Sequence, residues 1–473
     1  MLKRDHHGCC AGFTRSEALR SALAAGRPRP SAREWDPRMP IPAGSGIDRR
    51  RFLSGAAGGL LSVYGADRLG LTSRVLGDGI ARAATLQSAD SPVLVSIFLA
   101  GGIDALSVLA PVGDPLYRKY RPVLGIPDTA GVPFTEDPRL HWHPSATSIA
   151  QLHNAGKVTV FPGIGYSSPD MSHFTSRHYW EVGATETALN TGWLGRYLDI
   201  HGDSTNPLQG LSMDGEMNPT LATARNPVAA IDRPEDFSLW LNGVYGNIFN
   251  YTLDSASKLG DNQRLSADPA IAQVAEAASE VGIVRHALAP FRNAAGTAAY
   301  TSPVTYPTTS TGDFPGRLAG LAAMLAAGLP ITCVAMTTDT QFDTHSAQPG
   351  TFVPALGVVS DSLAAFQADL EARGIADRVL VHVWSEFGRR PQENGSHGTD
   401  HGAAGVSLLI GTRASGQMVG IWPGLERLDV NGNQIANVDF RAVYCSMIEQ
   451  WFGDDSAAVI PGASHFVRPQ LLK

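Results

Sequence analysis

Apolar residues fall in short unbroken runs rather than in strict alternation. SPVLVSIFLAGG (91–102), VTVFPGIG (158–165), ITCVAMTT (331–338), RVLVHVW (378–384) and GVSLLIG (405–411) have strand length, and the first ends in paired glycines. Helical patterns separate them: SATSIAQLHNAGK (145–157), SHFTSRHYWEVG (172–183), GRLAGLAAMLAAGLP (316–330), FVPALGVVSDSLAAFQADLEARG (352–374) and the closing VDFRAVYCSMIEQWFG (438–453). Ser172 stands where an N-cap belongs and Gly183 where a helix stops. Apolar strands alternating with helices predict an α/β fold with a mainly parallel central sheet, flanked by helices on both faces. Residues 202–312 fit this worst, being rich in Asn, Asp, Pro, Thr and Ser. They read as an inserted accessory lobe within one α/β domain over 90–473.

In such sheets ligands gather at the carboxyl ends of the strands. Asp104 follows the first run, and the second leads by a loop to Ser172 and His173. Asp343 and His345 follow the third, and Ser385 and Glu386 the fourth; Asp400 and His401 precede the fifth. Every predicted strand edge thus offers a carboxylate, an imidazole or a hydroxyl to one rim.

Composition narrows the class. The 473 residues are 43% hydrophobic and 17% charged, enough apolar surface to offset chain entropy, so a largely disordered chain is excluded. With 37 basic and 44 acidic residues the net charge is −7, which leaves no electrostatic footprint for nucleic acid. No apolar run reaches the roughly 20 residues of a membrane span, so no integral membrane segment is expected. Cys333 and Cys445 sit in apolar patterns and read as buried thiols.

The front end reads as an address. Asp48-Arg49-Arg50-Arg51-Phe52-Leu53-Ser54 resembles the twin-arginine export signal, followed by a weakly apolar GAAGGLLSVYGA (55–66) and a small-residue site ending at Ala83. Residues 1–83 are therefore expected to be an N-terminal extension and signal peptide, with Met39 as a candidate true start. The protein is expected to be periplasmic or secreted, with the twin-arginine export machinery as a partner.

The rim residues suit a hard or borderline divalent metal, since carboxylates and imidazoles are present and thiolates are not. Asp343-Thr344-His345 spaces two ligand types so that both face one side of an extended segment. Asp400-His401, between glycines, can curl toward an ion. The plainer alternatives are a turn carboxylate at Asp104, a loop-capping pair at 343–345, and an ion pair of Glu386 with Arg389. Ser172 is either a simple N-cap or a nucleophile, because helix-end amides favour an oxyanion there. His173 is a candidate ligand or acid.

LVSIFLAGGIDALSVLAPVGDPLYRKYRP (94–122), SHFTSRHYWEVG, TGWLGRYLD (191–199), FDTHSAQ (342–348), WSEFGRRPQENGSHGTDHG (384–402) and VDFRAVYCSMIEQWFG resemble the domain of unknown function 1501 family. That family is similar in fold to the alkaline phosphatase and sulfatase superfamily. The resemblance implies that Asp104 holds a metal beside a Ser172 nucleophile. It further implies that Asp343, His345 and His401 bind another metal. It calls for Asp-His after the fourth strand, where this chain has Glu386-Phe387. The implied activity is metal-dependent hydrolysis of phosphate or sulfate esters, small or polymeric, with one or two divalent ions on Asp104, Asp343, His345, Glu386, Asp400 and His401. The alternative is a non-catalytic exported protein that keeps the fold and an ion site for binding or assembly.

Overall fold

The computed structural model describes residues 63–64, 80–85, 91–237, 281–310 and 312–473, with positions 255 and 275. The export motif at 48–54 and most of the expected signal peptide lie outside these residues. So does most of 238–280, a part of the expected lobe.

The core is a nine-stranded sheet. Its strands are β1 (Val63–Tyr64), β2 (Val93–Phe98), β3 (Val158–Gly165), β4 (Gly210–Ser212), β5 (Val228–Ala230), β6 (Cys333–Thr337), β7 (Val379–Trp384), β8 (Gly405–Ile410) and β9 (Val438–Asp439). The spatial order is β1-β5-β4-β6-β2-β7-β8-β3-β9. The fold is α/β with a mixed, mostly parallel sheet, as the alternation of runs predicts. Only β1 and β8 run against the rest: β8 is antiparallel to both β7 and β3.

Burial on both faces explains the unbroken apolar runs, since each successive side chain enters a different core. Val93, Val95 and Ile97 of β2, with Val379, Val381 and Val383 of β7, pack on one face. That face is covered by α1 (Thr147–Asn154), α4 (Phe314–Ala326) and α5 (Gln348–Ala372). Leu94, Phe98, Leu380 and Trp384 point the other way, under α2 (His173–Val182), α3 (Trp193–His201) and α6 (Phe440–Ser446). Among the described residues only α5 is long and apolar enough to cross a membrane. Phe352, Leu356, Leu363, Phe366 and Leu370 of α5 are all buried against the sheet, which is what a core helix needs.

Residues 202–237 depart from the lobe expectation. They supply β4 and β5, which extend the central sheet beside β6. Each strand is only three residues long, too short to show as an apolar run.

Candidate metal centre

The reversal of β8 assembles the site. The carboxyl ends of β2, β6 and β7 share one rim with the start of β8. A hairpin of Gly388–Glu393 and Thr399–Gly402 lies just before β8 and folds over that rim. Gly101 and Gly102 turn the chain sharply after β2, with φ of +112° and +70°. A Cβ on Gly101 would lie 2.3 Å from the Asp343 nitrogen, so this close approach requires glycine.

Four donor atoms converge there. His345 Nε2 is 3.1 Å from Asp343 Oδ1, and the Nε2 atoms of His401 and His173 are each 3.5 Å from it. His345 Nε2 and His401 Nε2 are 2.9 Å apart. The ligand atoms of His173, Asp343 and His401 all lie within 4.8 Å of one another, close enough to share one ion, and His345 Nε2 adjoins this group from beside Arg389 Nη1, at 3.3 Å.

The far side of each imidazole decides its chemistry. His173 Nδ1 donates to Glu386 Oε1 at 2.7 Å, His345 Nδ1 faces Asp400 Oδ1 at 3.4 Å, and His401 Nδ1 donates to the Met171 carbonyl at 2.8 Å. Each acceptor holds the proton on Nδ1, so in the neutral rings all three Nε2 atoms turn a lone pair toward Asp343. Imidazoles backed by carboxylate or carbonyl acceptors are the usual outer arrangement of metal-bound histidines. Three carboxylates, on Asp343, Glu386 and Asp400, stand against one guanidinium, on Arg389. With neutral imidazoles this leaves two net negative charges, which a divalent cation balances.

Without an ion, protons must take that place. Burial would raise the Asp343 carboxyl, but hydrogen bonds from the three histidines and the Arg389 charge hold it far below the usual carboxylate range. Burial opposes charge on His173, yet bonds to Asp343 and Glu386 raise its pKa. His345 is likewise raised by Asp343 and Asp400 against its burial. His401 is pushed down to about 4, by burial first and then by the charges of Arg389, His173 and His345.

Asp343, His345, His401 and His173 therefore come together, and three other expected ligands stand behind them. Asp104 is fully buried in a bidentate pair with Arg121, at 2.6 and 2.9 Å, and accepts from Ser107 and Gln348, at 2.6 Å each. Its oxygens face these partners, and it stands outside the group formed by His173, Asp343 and His401. Glu386 likewise stands outside that group. Its carboxylate accepts from the Gly101 and Gly102 amides at 2.9 and 3.0 Å, from Ser385 at 2.9 Å, and from His173. Asp400 backs His345 and accepts from Asn394 at 3.2 Å. Ser172 caps α2, its Oγ accepting from the Thr175 amide at 3.4 Å, next in sequence to the ligand histidine.

Arg389 pairs with Asp343, at 2.5 Å, rather than with Glu386. It also donates to the carbonyls of Gly101, Gly102 and Thr399, pinning the glycine turn from the side opposite Glu386. Phe387 lies 4.8 Å from the His173 ring and 4.7 Å from that of His401, closing one wall. Arg121, Gln348 and the Met171 carbonyl carry no sequence signal of a role. Gln348 lies 244 positions from Asp104 and Arg121 lies 270 from Pro391, while Met171, 230 positions from His401, presents only backbone.

Fold and site together define an α/β protein with a candidate metal centre of His173, Asp343 and His401 at the strand ends, and with His345 beside it. Over residues 219–446 the chain matches the family described as "Protein of unknown function (DUF1501)", the family its motifs resemble. No curated protein matches it. Among solved structures, a protein in the alkaline phosphatase superfamily from Vibrio parahaemolyticus is 10% identical, with a TM-score of 0.35 over 84% of this chain and 79% of that one. The lipoteichoic acid synthase LtaP from Listeria monocytogenes is 9% identical, with a TM-score of 0.32 over 82% and 79%. The PsFucS1 sulfatase from Pseudoalteromonas sp. is 11% identical, with a TM-score of 0.31 over 80% and 70%.

Proposed function

We propose that the protein is an exported metal-dependent hydrolase of phosphate or sulfate esters, with one divalent ion held by His173, Asp343, His345 and His401. The observation that carries the metal is the aim of three Nδ1-anchored imidazoles at one carboxylate oxygen; the ester chemistry rests on the motif resemblance. A bound ion would supply charge for a developing oxyanion and lower the pKa of a coordinated water. The chain's own residues do the rest. Glu386, Asp400 and the Met171 carbonyl fix the imidazole orientations, and Phe387 keeps water from one side. Asp343 and His345 are the least buried of the four, at 12% and 18% side-chain exposure, so substrate would approach over them. The α2 N-terminus beside His173 favours an anion, and the Ser172 hydroxyl lies at that end.

Purified protein loaded with zinc, manganese or calcium should contain one ion per chain and cleave an aryl phosphate or an aryl sulfate. Metal-loaded protein that cleaves neither would overturn the hydrolase reading.

Metal binding must displace the protons on His173 and His345, whose pKa values are raised. Affinity should therefore fall as the pH is lowered from neutral to mildly acidic, with proton release on binding measured by calorimetry in buffers of different ionisation heat. An affinity independent of pH across that window would count against these ligands. For export, we propose the twin-arginine route to the periplasm or beyond. Changing Arg49 and Arg50 together to Lys should leave precursor in the cytoplasm, and normal export of that variant would defeat the route.

A further inference from the structure

The two segments that bear most of the donors, Asp343-Thr344-His345 and Thr399-Asp400-His401, meet at one amide side chain. Gln348 opens α5 and is 2% exposed. Its Nε2 donates to Asp104 Oδ2 at 2.6 Å and to Ser107 Oγ at 3.1 Å. Its Oε1 accepts from Thr344 Oγ1 at 2.9 Å and from Thr399 Oγ1 at 2.7 Å. Both N–H groups and both lone pairs are used, so the amide has one allowed orientation. Reversing it would set Oε1 against the Asp104 carboxylate. Arg121 holds that carboxylate in turn, and the Thr399 amide donates to the Thr344 carbonyl at 2.9 Å. The backbone before Gln348 is bent to suit, with Ala347 left-handed at φ 46°.

We propose that Gln348, acting through Thr344 and Thr399, is the positioning residue that sets the separation of the two donor-bearing segments, and with it the affinity and geometry of the metal centre. Thr344 lies between Asp343 and His345, and Thr399 lies two residues before His401, so a backbone shift at either threonine carries a donor atom with it. Metal–ligand distances tolerate only about 0.2 Å, while side chains outside the ligand set typically govern about 10–100-fold in affinity. This inference rests on the metal-centre reading above.

The test compares three variants of the full chain by cobalt(II) titration, read by visible spectrum and affinity, with thermal melting as the check of folding. Thr344→Val with Thr399→Val keeps shape and removes both hydroxyls; Thr344→Ser with Thr399→Ser keeps the hydroxyls; Gln348→Met removes the amide. The valine pair and Gln348→Met should bind about 10–100-fold more weakly, with an altered spectrum. The serine pair should keep the wild-type spectrum and bind within a few-fold of wild type. If Gln348→Met fails to fold, the valine and serine pairs decide alone. A valine pair with wild-type affinity and spectrum, or a serine pair as weak as the valine pair, overturns the positioning role and leaves the metal centre standing. A wild-type chain that takes up neither cobalt nor zinc overturns both.

Discussion

His401→Ala should abolish stoichiometric metal binding while the protein stays folded. The imidazole supplies one of four donors, and its Nε2 faces those of His345 and the Asp343 oxygen from 2.9 and 3.5 Å. Structural zinc sites bind with about 10–16 kcal/mol at neutral pH, so an even quarter share is about 2.5–4 kcal/mol. That is roughly a hundred- to thousand-fold in affinity. The structural cost of removing one ring is about 1–3 kcal/mol, within the 5–15 kcal/mol by which domains are typically stable. Elemental analysis after gel filtration should show metal in the wild type and in an His465→Ala control, whose histidine is exposed far along the chain, but not in His401→Ala. Circular dichroism should be unchanged. Wild-type metal content in His401→Ala would remove this residue from the centre. Any esterase activity should vanish with the metal, and the same experiment on His345→Ala should give the same result.

The central sheet was legible because strands buried on both faces leave continuous apolar runs, and each of the five runs became a strand. Direction was not legible in the same way. GVSLLIG looks like its neighbours, since an antiparallel strand covered on both faces carries the same side chains as a parallel one. Yet its direction is what matters for the site: run parallel, β8 would have carried His401 to the opposite edge. The residues after each strand named the right neighbourhood but not the division of labour. His173, Asp343, His345 and His401 point inward, whereas Asp104, Glu386 and Asp400 are carboxylates of the same type that stand one layer behind. What separates the two groups is the set of hydrogen bonds each carboxylate already makes. Those bonds come from Arg121, Gln348, Ser107 and the 101–102 amides, from up to 285 positions away, and no local spacing encodes them. The short strands β4 and β5 escaped notice for another reason: three residues do not make a periodicity.

Arg121→Met should be the most damaging single change outside the donor set, and its effect should depend on pH with a definite sign. Arg121 and Asp104 are 1% and 0% exposed, with guanidinium nitrogens 2.6 and 2.9 Å from the two carboxylate oxygens. Burial alone would raise the Asp104 carboxyl; the Arg121 charge, with hydrogen bonds from Arg121, Ser107 and Gln348, outweighs it and holds the pKa below its ordinary value. In the wild type this pair therefore contributes stability above the unfolded carboxyl pKa, and loses it as pH falls through the lower folded value. Methionine fills the space but leaves a buried carboxylate without its cation, and breaking such a pair costs about 3–5 kcal/mol. The sign then reverses. With burial no longer countered by Arg121, the folded pKa rises, the proton binds more readily in the folded state, and acidification relieves the penalty. The gap in melting temperature between variant and wild type should be widest near about pH 7 and narrow toward about pH 4. Adding Asp104→Asn should recover part of the loss at neutral pH, because it removes the buried charge. The recovery stays partial, since Arg121 also donates to the Pro391 and Arg390 carbonyls of the hairpin that carries Arg389. A melting gap that stays constant across this range would show that Arg121 acts through packing alone. Asp104 would then be no charged anchor for Gln348.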